Sequence, residues 1–245
     1  MKSKEERTKK ETDFIFFAPD IIITNQLPEE ESQHCIKVLR MSEGDSIIVT
    51  NGKGKLYECV ITQAHHKHTV VSIKNEVFID KSWNFYLQIA FAPTKNMDRN
   101  EWFTEKATEI GIDRITPLLC KFSERKEIRM DRLEKTAIAA MKQSKQAILP
   151  QIDEITNFDN FIKQPFNGQK YIAHCYNNEK NPLTSVYTKG QNVIILIGPE
   201  GDFSEKEVEM AINNGFIPVS LGNNRLRTET ACLAACHTIH VLNLM

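Results

Sequence analysis

The pattern of apolar and polar positions divides the chain into a part rich in strands and a longer part in which strands and helices alternate. From residue 14 to residue 79, short apolar runs are separated by turn residues such as NGKG at 51–54, which predicts a small β-rich domain containing a hairpin. Residues 29–38 are polar with periodic apolar points and predict a short helix there. From residue 85 to residue 245 the alternation predicts an α/β domain with a largely parallel sheet.

Two short segments outside these parts have the composition of a terminal extension and of an interdomain linker. Residues 1–13 are dominated by charged and polar side chains, which predicts a disordered extension, and they lack the apolar stretch of a secretory signal. Residues 80–84 are the predicted linker. In the second part, Asp98 with Glu101 predicts a capping box at one helix start, and Asp131 predicts the N-cap of another.

The clearest local signals lie between residues 193 and 230. The apolar run VIILI predicts a buried strand, and it ends in the tight sequence GPEG at 198–201. Ser204 and Glu207 then form a predicted capping box, and Gly215 has the position of a helix-terminating glycine. A second strand-like run, residues 216–221, leads into a second glycine loop and then an apolar helix to the end of the chain.

Two glycine loops therefore follow two strands of one predicted sheet. Ligands of open α/β sheets bind at the carboxyl ends of the strands, and glycine allows the backbone to approach a ligand closely. Either loop alone is better explained as an ordinary strand-to-helix turn. The pair, together with the polar sequence RTET at 227–230, favours a ligand site without identifying the ligand.

The segment from Gly198 to Ala231 resembles the C-terminal signature of the SPOUT, or trefoil-knotted, RNA methyltransferases. More narrowly it resembles the ribosomal RNA small-subunit methyltransferase E family, which makes N3-methyluridine in 16S rRNA. The sequences HCIKVLR at 34–40 and KATEIG at 106–111 are similar to further blocks of that family. The resemblance implies an α/β trefoil-knotted methyltransferase domain preceded by a PUA-like β-barrel, although general folding rules disfavour knots.

The resemblance also implies S-adenosylmethionine as the methyl donor. The dinucleotide fingerprint GxGxxG is absent, so a Rossmann-type cofactor site is not supported. Backbone groups and apolar side chains of three loops are expected to hold the adenosine. The implied cofactor-binding residues are His174, Ile197, Gly198, Pro199, Glu200, Gly201, Leu221, Gly222, Asn223, Leu226, Arg227 and Thr230.

Methylation of uracil N3 requires loss of the N–H proton and stabilisation of the charge that spreads onto the carbonyl oxygens. Arg227 is the candidate electrostatic clamp, and Glu229 is the candidate base or the group that orients Arg227. An alternative is that Glu229 only stabilises the positive N-terminus of the last helix. Glu200 has a similar alternative, in which its carboxylate holds the loop by accepting backbone N–H groups.

Basic side chains at six positions are candidate RNA contacts, either through the resemblance or through their setting beside aromatic and polar residues. A surface hydrogen bond or ion pair is the alternative for each. Three segments depart from the family pattern: the basic residue usual near Ile36 is present only as Lys37, Lys126 stands where the family carries serine, and Lys142 and Gln146 do not match their block. The candidates are His34, Arg40, Lys95, Lys121, Arg125 and Lys142.

The last helix, ACLAACHTIHVLNL at 231–244, is apolar on most faces. The resemblance implies a homodimer through the knot and this helix, although burial within one monomer explains the same pattern. If turnover were lost, the same fold would serve as an RNA-binding assembly factor. A knotted methyltransferase acting on another RNA position or on a ribose 2′-hydroxyl is the remaining alternative.

The amino-acid composition argues against several other classes of protein. The net charge of −1 argues against an indiscriminate polyanion binder, and no apolar run approaches the roughly 20 residues that span a bilayer. Six scattered cysteines without CxxC pairs indicate free thiols in a reducing cytoplasm, the expected location. The sequence HHKH at 65–68 has no nearby carboxylate and predicts a polar hairpin tip, so no metal site is expected.

Overall fold

The computed structural model describes residues 11–176 and 180–245. Most of the predicted N-terminal extension, and part of the polar loop after residue 176, lie outside the described residues. The expectation of disorder through residue 13 is wrong for its last residues, because strand β1 (Glu11–Phe17) already begins at Glu11 and pairs with Ser46. The described residues form two compact units, and each has its own core.

The first unit reaches to Lys81 and contains one four-stranded sheet in the order β1-β2-β3-β4. Strand β1 pairs in parallel with β2 (Ser46–Thr50), and β2, β3 (Lys55–Gln63) and β4 (Val70–Phe78) pair antiparallel. The predicted hairpin at residues 51–54 joins β2 to β3, and the histidines at 65–68 lie between β3 and β4, as the sequence predicts.

The predicted helix over residues 29–38 is present but changes its winding half-way. After the short helix α1 (Ile21–Thr24), α2 (Glu29–Gln33) continues directly into a π-helical turn over His34–Val38. The backbone N–H of Leu39 donates to the carbonyl of His34 at 3.0 Å, which is the wider i+5 pattern. The centre of the His34 ring lies 6.0 Å from that of Phe14 and 5.9 Å from that of Phe16.

One segment of the predicted second domain packs in the first unit instead. Met141–Leu149 joins that unit because its backbone pairs with the β2–β3 hairpin. Gly54 N–H donates to Ala147 O at 2.8 Å, and Leu149 N–H donates to Gly52 O at 2.9 Å. Such long-range backbone bonds have no signature in the apolar pattern of either segment.

The second unit is the predicted α/β domain with a parallel sheet. Its strand order is β10-β12-β9-β11-β5-β6-β7, with β8 pairing to β6, and every pair is parallel. The strands are β5 (Leu87–Phe91), β6 (Arg114–Leu119), β7 (Gln151–Ile152), β8 (Thr156–Asn157), β9 (Gln169–Ala173), β10 (Asn181–Pro182), β11 (Val193–Ile197) and β12 (Ile217–Ser220).

Helices cover both faces of this sheet, so its central strands β5 and β11 are buried along their whole length. The helices are α3 (Met97–Ile110), α4 (Met130–Gln143), α5 (Phe158–Phe161), α6 (Leu183–Val186), α7 (Glu205–Asn213) and α8 (Thr228–Leu244). Buried residues of α3, α6 and α8 share one core with Ile89 of β5, while those of α5 and α7 share the other with Leu196 of β11. Because β5 and β11 are buried on both faces, all five residues of each are inaccessible.

Two predicted helix starts differ from the structure. Helix α3 is capped by Asn96, whose side chain accepts the N–H of Asp98 at 3.0 Å, and Glu101 instead receives a hydrogen bond from Arg132 at 2.7 Å. Helix α4 begins at Met130, so Asp131 lies inside its first turn. The capping box of Ser204 and Glu207 at α7 is confirmed. Within the described residues, no helix is both long and apolar enough to cross a membrane.

Candidate active site

A cavity of about 980 Å³ opens at the carboxyl ends of β9, β11 and β12 in the second unit. Three chain segments line it, each following one of these strands, in agreement with the place where parallel sheets bind ligands. Apolar, polar and charged groups contribute to its wall. The lining residues are Ala173, His174, Cys175, Tyr176, Lys180, Ile197, Gly198, Pro199, Glu200, Asp202, Val219, Ser220, Leu221, Gly222, Asn223, Asn224, Arg225, Leu226, Arg227, Thr228 and Ala231.

Most of the residues that the sequence nominates for cofactor binding lie on this wall. The structure brings together His174, Ile197, Gly198, Pro199, Glu200, Leu221, Gly222, Asn223, Leu226 and Arg227. Gly201 and Thr230 do not belong to the lining. Gly201 faces the loop after β6 instead, since a β-carbon added there would lie 3.2 Å from Cβ of Phe122.

The loop between β11 and α7 is held in a tight conformation by contacts at both ends. A β-carbon on Gly198 would lie 3.0 Å from the backbone N of Phe203, so only glycine fits without a shift. The hydroxyl of Thr228 donates to Gly198 O at 3.0 Å, which ties the start of α8 to this loop. These contacts explain why glycine and threonine occupy these two positions.

Asp202 joins two of the three segments, a role that the sequence motif did not suggest. It has a left-handed backbone, with φ of 65°, and its carboxylate accepts N–H groups from two directions. Oδ2 accepts from Cys175 N at 2.7 Å, and Oδ1 accepts from Phe203 N at 2.8 Å. Its position directly after GPEG was visible in the sequence, but its partner 27 residues earlier was not.

His174 is buried in the segment after β9, where only 7% of the residue is exposed. Its Nδ1 accepts the N–H of Tyr176 at 3.3 Å, and Lys180 Nζ donates to the carbonyls of His174 and Tyr176 at 2.6 Å each. Burial, followed by the nearby Lys180 ammonium, lowers the pKa of His174 below its ordinary value of 6.5. The imidazole is therefore neutral at neutral pH and serves as an acceptor.

Glu200 connects the cavity wall to a neighbouring loop. Its Oε1 accepts the backbone N–H of Lys95 at 3.2 Å, and its own carbonyl accepts from Arg225 at 3.2 Å. Arg125 holds the same neighbouring loop, because its guanidinium donates to the carbonyls of Thr94 at 3.1 Å and Lys95 at 2.5 Å. The Glu200 carboxylate thus accepts a backbone N–H, which is one of the two roles that the sequence analysis left open for it.

Arg227 and Glu229 are two residues apart but have different surroundings. Arg227 is the exposed N-cap residue of α8 and lies on the cavity wall. Glu229 is 8% exposed, and its Oε1 lies 3.6 Å from Nε of Arg99 on α3. Its Oε2 is buried without a hydrogen-bond partner. The structure therefore directs the Glu229 carboxylate toward α3 and the first turn of α8.

Family models match both units. Residues 81–240 match a model described as an RNA methyltransferase domain, and residues 27–74 match one described as an RNA methyltransferase PUA domain. The first match alone covers more than half of the chain. The chain belongs to the RNA methyltransferase family.

Individual proteins similar to this RNA methyltransferase give a narrower comparison than the family models. A crystal structure from Porphyromonas gingivalis, described as a probable rRNA-methyltransferase, is 43% identical with a TM-score of 0.90, covering 94% of this chain and 98% of that one. A ribosomal RNA small subunit methyltransferase E from Neisseria gonorrhoeae, solved bound to S-adenosyl methionine, is 25% identical with a TM-score of 0.83, covering 94% and 97%. The ribosomal RNA small subunit methyltransferase E of Bacillus subtilis is 28% identical over 91% of this chain and 90% of its own length.

These similarities confirm the resemblance to the small-subunit methyltransferase E family and the combination of a PUA domain with an α/β methyltransferase domain. The segment that matches the PUA model contains β2, β3 and the first part of β4 in the first unit. The segment that matches the methyltransferase model contains all the strands of the parallel sheet.

The basic residues proposed as RNA contacts fall into a half-buried and an exposed group in this RNA methyltransferase. Arg125 is half-buried and donates to backbone carbonyls, and Lys142 is half-buried in an ion pair with Glu31. The Lys95 side chain is 81% exposed, with Nζ 3.3 Å from Glu124. Arg40 is exposed with a left-handed backbone, and Lys121 is exposed beside Phe122.

No metal-binding arrangement is present in residues 11–176 and 180–245: no three His, Cys, Asp or Glu side chains converge on one point there. The imidazoles of His65 and His68 stack with centroids 3.7 Å apart at the hairpin tip. Burial, followed by the neighbouring histidines and Lys67, lowers the pKa of His65.

Proposed function

We propose that this protein transfers a methyl group from S-adenosylmethionine to N3 of a uridine in 16S rRNA of the small ribosomal subunit. The observation that carries the proposal is the cavity at the carboxyl ends of β9, β11 and β12. It is built from the same three segments that the family resemblance assigns to the cofactor, and Arg227 lies on its wall. The relative from Neisseria gonorrhoeae, which carries that family name, was solved with S-adenosyl methionine.

The residues of the cavity fit an adenosine-containing cofactor. Its volume of about 980 Å³ is at the upper end of the range typical of small-molecule sites. Ile197, Leu221 and Leu226 offer apolar surface for a flat ring, and the loops around Gly198 and Gly222 offer backbone N–H and C=O groups for its polar edges. The cofactor supplies an electrophilic methyl group when bound.

Arg227 is the proposed electrostatic clamp of the reaction. As N3 loses its proton, negative charge spreads onto the two flanking carbonyl oxygens of the uracil, and a guanidinium beside them lowers the energy of that state. Arg227 is exposed and fixed at the N-cap of α8, so its side chain is available to an RNA ligand in the cavity. Its planar guanidinium fork suits both a carbonyl oxygen and a phosphate.

Glu229 is proposed to support this site rather than to act as the base. Its carboxylate lies at the positive end of α8 and beside Arg99, an arrangement that stabilises a helix N-terminus. This favours the helix-stabilising reading of Glu229 over the two reactive roles that the sequence left open.

Nucleoside mass spectrometry tests the activity directly. Purified protein and S-adenosylmethionine are mixed with small ribosomal subunits from cells that lack the modification, and digested RNA is analysed. We expect N3-methyluridine to appear only when the protein is present. Another methylated nucleoside would retain the cofactor but replace the target, and no methylation despite measured cofactor binding would contradict the activity.

We also propose that the second unit is knotted. Strand β12 lies beside β9 on the side away from β11, yet the chain then returns past β11, where Thr228 donates to Gly198 O, and α8 packs against α3 and β5. Such a return is what threading of the last segment through an earlier loop requires. Stretching single molecules by their ends tests it: a knotted chain extends to less than the roughly 3.6 Å per residue of a free chain. Full extension would contradict the knot.

A homodimer in the cytoplasm is the proposed working form. The outward side of α8 carries the exposed residues His237 and Val241 and the half-buried residues Leu233 and Ala234 at helical spacing. Light scattering is expected to give twice the chain mass, and Val241→Glu is expected to give the single mass. Ile217→Glu, at an exposed position of β12, is the control that should leave the dimer intact. A monomeric wild-type protein would exclude this form.

A further inference from the structure

A large exposed aromatic side chain projects from the loop between β6 and α4. Phe122 is 45% exposed, and the ammonium of its neighbour Lys121 lies 5.2 Å from the centre of its ring. An exposed phenylalanine leaves apolar surface in contact with water. A phenylalanine held in such a position beside a cation therefore calls for an explanation. Phe122 with Lys121 is named the aromatic platform below.

The aromatic platform is held in place by contacts on both sides. The backbone N–H of Lys121 donates to Oε1 of the buried Glu207 on α7 at 2.7 Å. Ser123 closes a tight turn with Cys120 through bonds of 2.9 and 3.1 Å. Gly201 packs so closely against Cβ of Phe122 that an added methyl group would lie only 3.2 Å away. The ring is therefore presented by a braced backbone.

The aromatic platform stands at the rim of the candidate active site. Its contact residue Gly201 is flanked by Glu200 and Asp202, which both line the large cavity. On its other side, Lys121 lines a second cavity of about 570 Å³ at the ends of β6 and α7. The residue that the platform contacts is therefore the sequence neighbour of two residues of the cavity wall.

We propose that Phe122 is a substrate-binding residue on which a nucleobase of the RNA stacks, next to the nucleotide that is methylated. The inference rests on the proposed function and adds a contact to it. Every base has a π-face, so stacking on an aromatic ring holds an unpaired base regardless of its sequence. Lys121 supplies the positive charge for the phosphate that follows such a base. Because the backbone of residues 120–123 is already held in place, the loop loses little conformational entropy when RNA binds.

Two substitutions at Phe122 separate stacking from packing. Phe122→Leu keeps the apolar contact with Gly201 but removes the aromatic π-face. Phe122→Tyr keeps the aromatic π-face. We expect Phe122→Leu to raise KM for the ribosomal substrate about tenfold, because one base stack contributes roughly that factor. The kcat and the Kd for S-adenosylmethionine should change less than threefold, and Phe122→Tyr should restore KM.

The chain contains a matched control for the loss of an exposed phenylalanine. Phe78 in the first unit is 69% exposed, and Lys55 lies 4.5 Å from the centre of its ring. Phe78→Leu is expected to leave KM within about twofold of wild type. Equal effects of the two leucine variants, or a wild-type KM for Phe122→Leu, would overturn the inference. So would a parallel loss of cofactor affinity, because that result would assign Phe122 to bracing the loop at Gly201.

A binding measurement distinguishes failure of this inference from failure of the proposed activity. In Phe122→Trp, the added indole fluorescence, taken as the difference from wild type, is expected to be quenched when 16S rRNA is added. Quenching without any methylation by the wild type would refute the proposed function and retain the RNA contact. Methylation by the wild type with no quenching in the variant would refute the RNA contact alone.

Discussion

Arg227 and Glu229 show how two charged residues of one motif acquire different roles from their surroundings. Arg227 immediately precedes α8 and Glu229 lies in its first turn, and the sequence offered both as candidates for the chemistry. The side chain of Arg227 is exposed at the cavity, whereas the carboxylate of Glu229 is buried toward Arg99. This difference in exposure, and not the position in the motif, is the basis for proposing that Arg227 contacts the substrate and that Glu229 supports the helix.

Arg227→Ala is expected to lower kcat by roughly a hundredfold to a thousandfold, because a positioned donor to a developing oxyanion contributes about that factor. Unfolding free energy and S-adenosylmethionine affinity should change little, since the side chain is exposed. Steady-state kinetics and calorimetry check the two parts. Arg227→Lys is the matched variant, and its kcat should lie between those of wild type and Arg227→Ala, because lysine keeps the positive charge but lacks the guanidinium fork. Wild-type turnover in Arg227→Ala would remove this residue from the mechanism.

Glu229→Gln tests the supporting role with almost no change of shape. We expect the unfolding free energy to fall by about 1 kcal/mol, because a negative charge at a helix N-terminus is lost. The kcat should stay within about threefold of wild type. Urea unfolding and turnover, measured on the same preparation, report the two effects. A hundredfold loss of kcat with unchanged stability would instead identify Glu229 as the base.

At the scale of elements, α7 shows that a local motif can serve a distant loop. The Glu207 carboxylate accepts the N–H and hydroxyl of Ser204 at 2.8 Å each through Oε2, which is the predicted capping box. Its Oε1 accepts the N–H of Lys121, 86 residues earlier. The same buried carboxylate therefore starts a helix and fixes the loop that presents Phe122.

Glu207→Ala is expected to destabilise the protein by about 2–3 kcal/mol, because the N–H and hydroxyl of Ser204 and the N–H of Lys121 all lose their acceptor. Ser204→Ala, which removes only the cap, should cost about 1 kcal/mol. Denaturant unfolding measures both. Equal effects of the two substitutions would show that the bond to Lys121 contributes nothing to stability.

His174 makes the segment after β9 sensitive to pH. Burial and Lys180 lower its folded-state pKa below 6.5, so between 6.5 and that lower value the unfolded chain binds a proton that the folded chain does not. This contribution to stability is therefore complete above pH 6.5 and is lost as the pH falls through the window. We expect wild type to lose more unfolding free energy than His174→Asn between pH 7.5 and 5.5. Equal losses would show that His174 is not involved.

At the scale of the whole molecule, the features predicted from sequence are those set by neighbours along the chain. The apolar run of β11, the capping box of α7 and the glycine end at Gly215 depend on a few adjacent residues, and all are present. The start of α3 was misassigned because Glu101 pairs with Arg132, a partner far along the chain. Long-range partners decide such cases, and apolar periodicity carries no information about them.

The same reason explains which parts of the candidate site escaped the sequence. The glycine loops were visible because glycine itself is the signal. Asp202 was not a candidate, and Arg125 and Lys121 were candidates only as RNA contacts. The sequence did not reveal the bond of Asp202 to the N–H of Cys175, the bonds of Arg125 to the carbonyls at residues 94–95, or the contact of Phe122 with Gly201. Each of these contacts joins segments that are remote in sequence, so residue type alone could not rank them.

The distribution of thiols across the molecule provides a test of where the cofactor lies. The chain has six cysteines, and five of them are buried. The exposed one, Cys175, lies on the wall of the large cavity. Partial burial, followed by the Asp202 carboxylate, raises its pKa above the ordinary value of 9.0, so the reactive thiolate is scarce at neutral pH.

A disulfide reagent such as Ellman's is therefore expected to modify one thiol in the native protein, slowly and faster at higher pH, and all six after unfolding. Cys175→Ser should abolish the native reaction. S-adenosylmethionine at ten times its Kd should slow the reaction of wild type about tenfold, because the occupied cavity covers the thiol. Adenosine-free methionine at the same concentration is the control and should not protect. Full reactivity in the presence of bound cofactor would place the cofactor away from the segment after β9, and the cavity would lose its assignment.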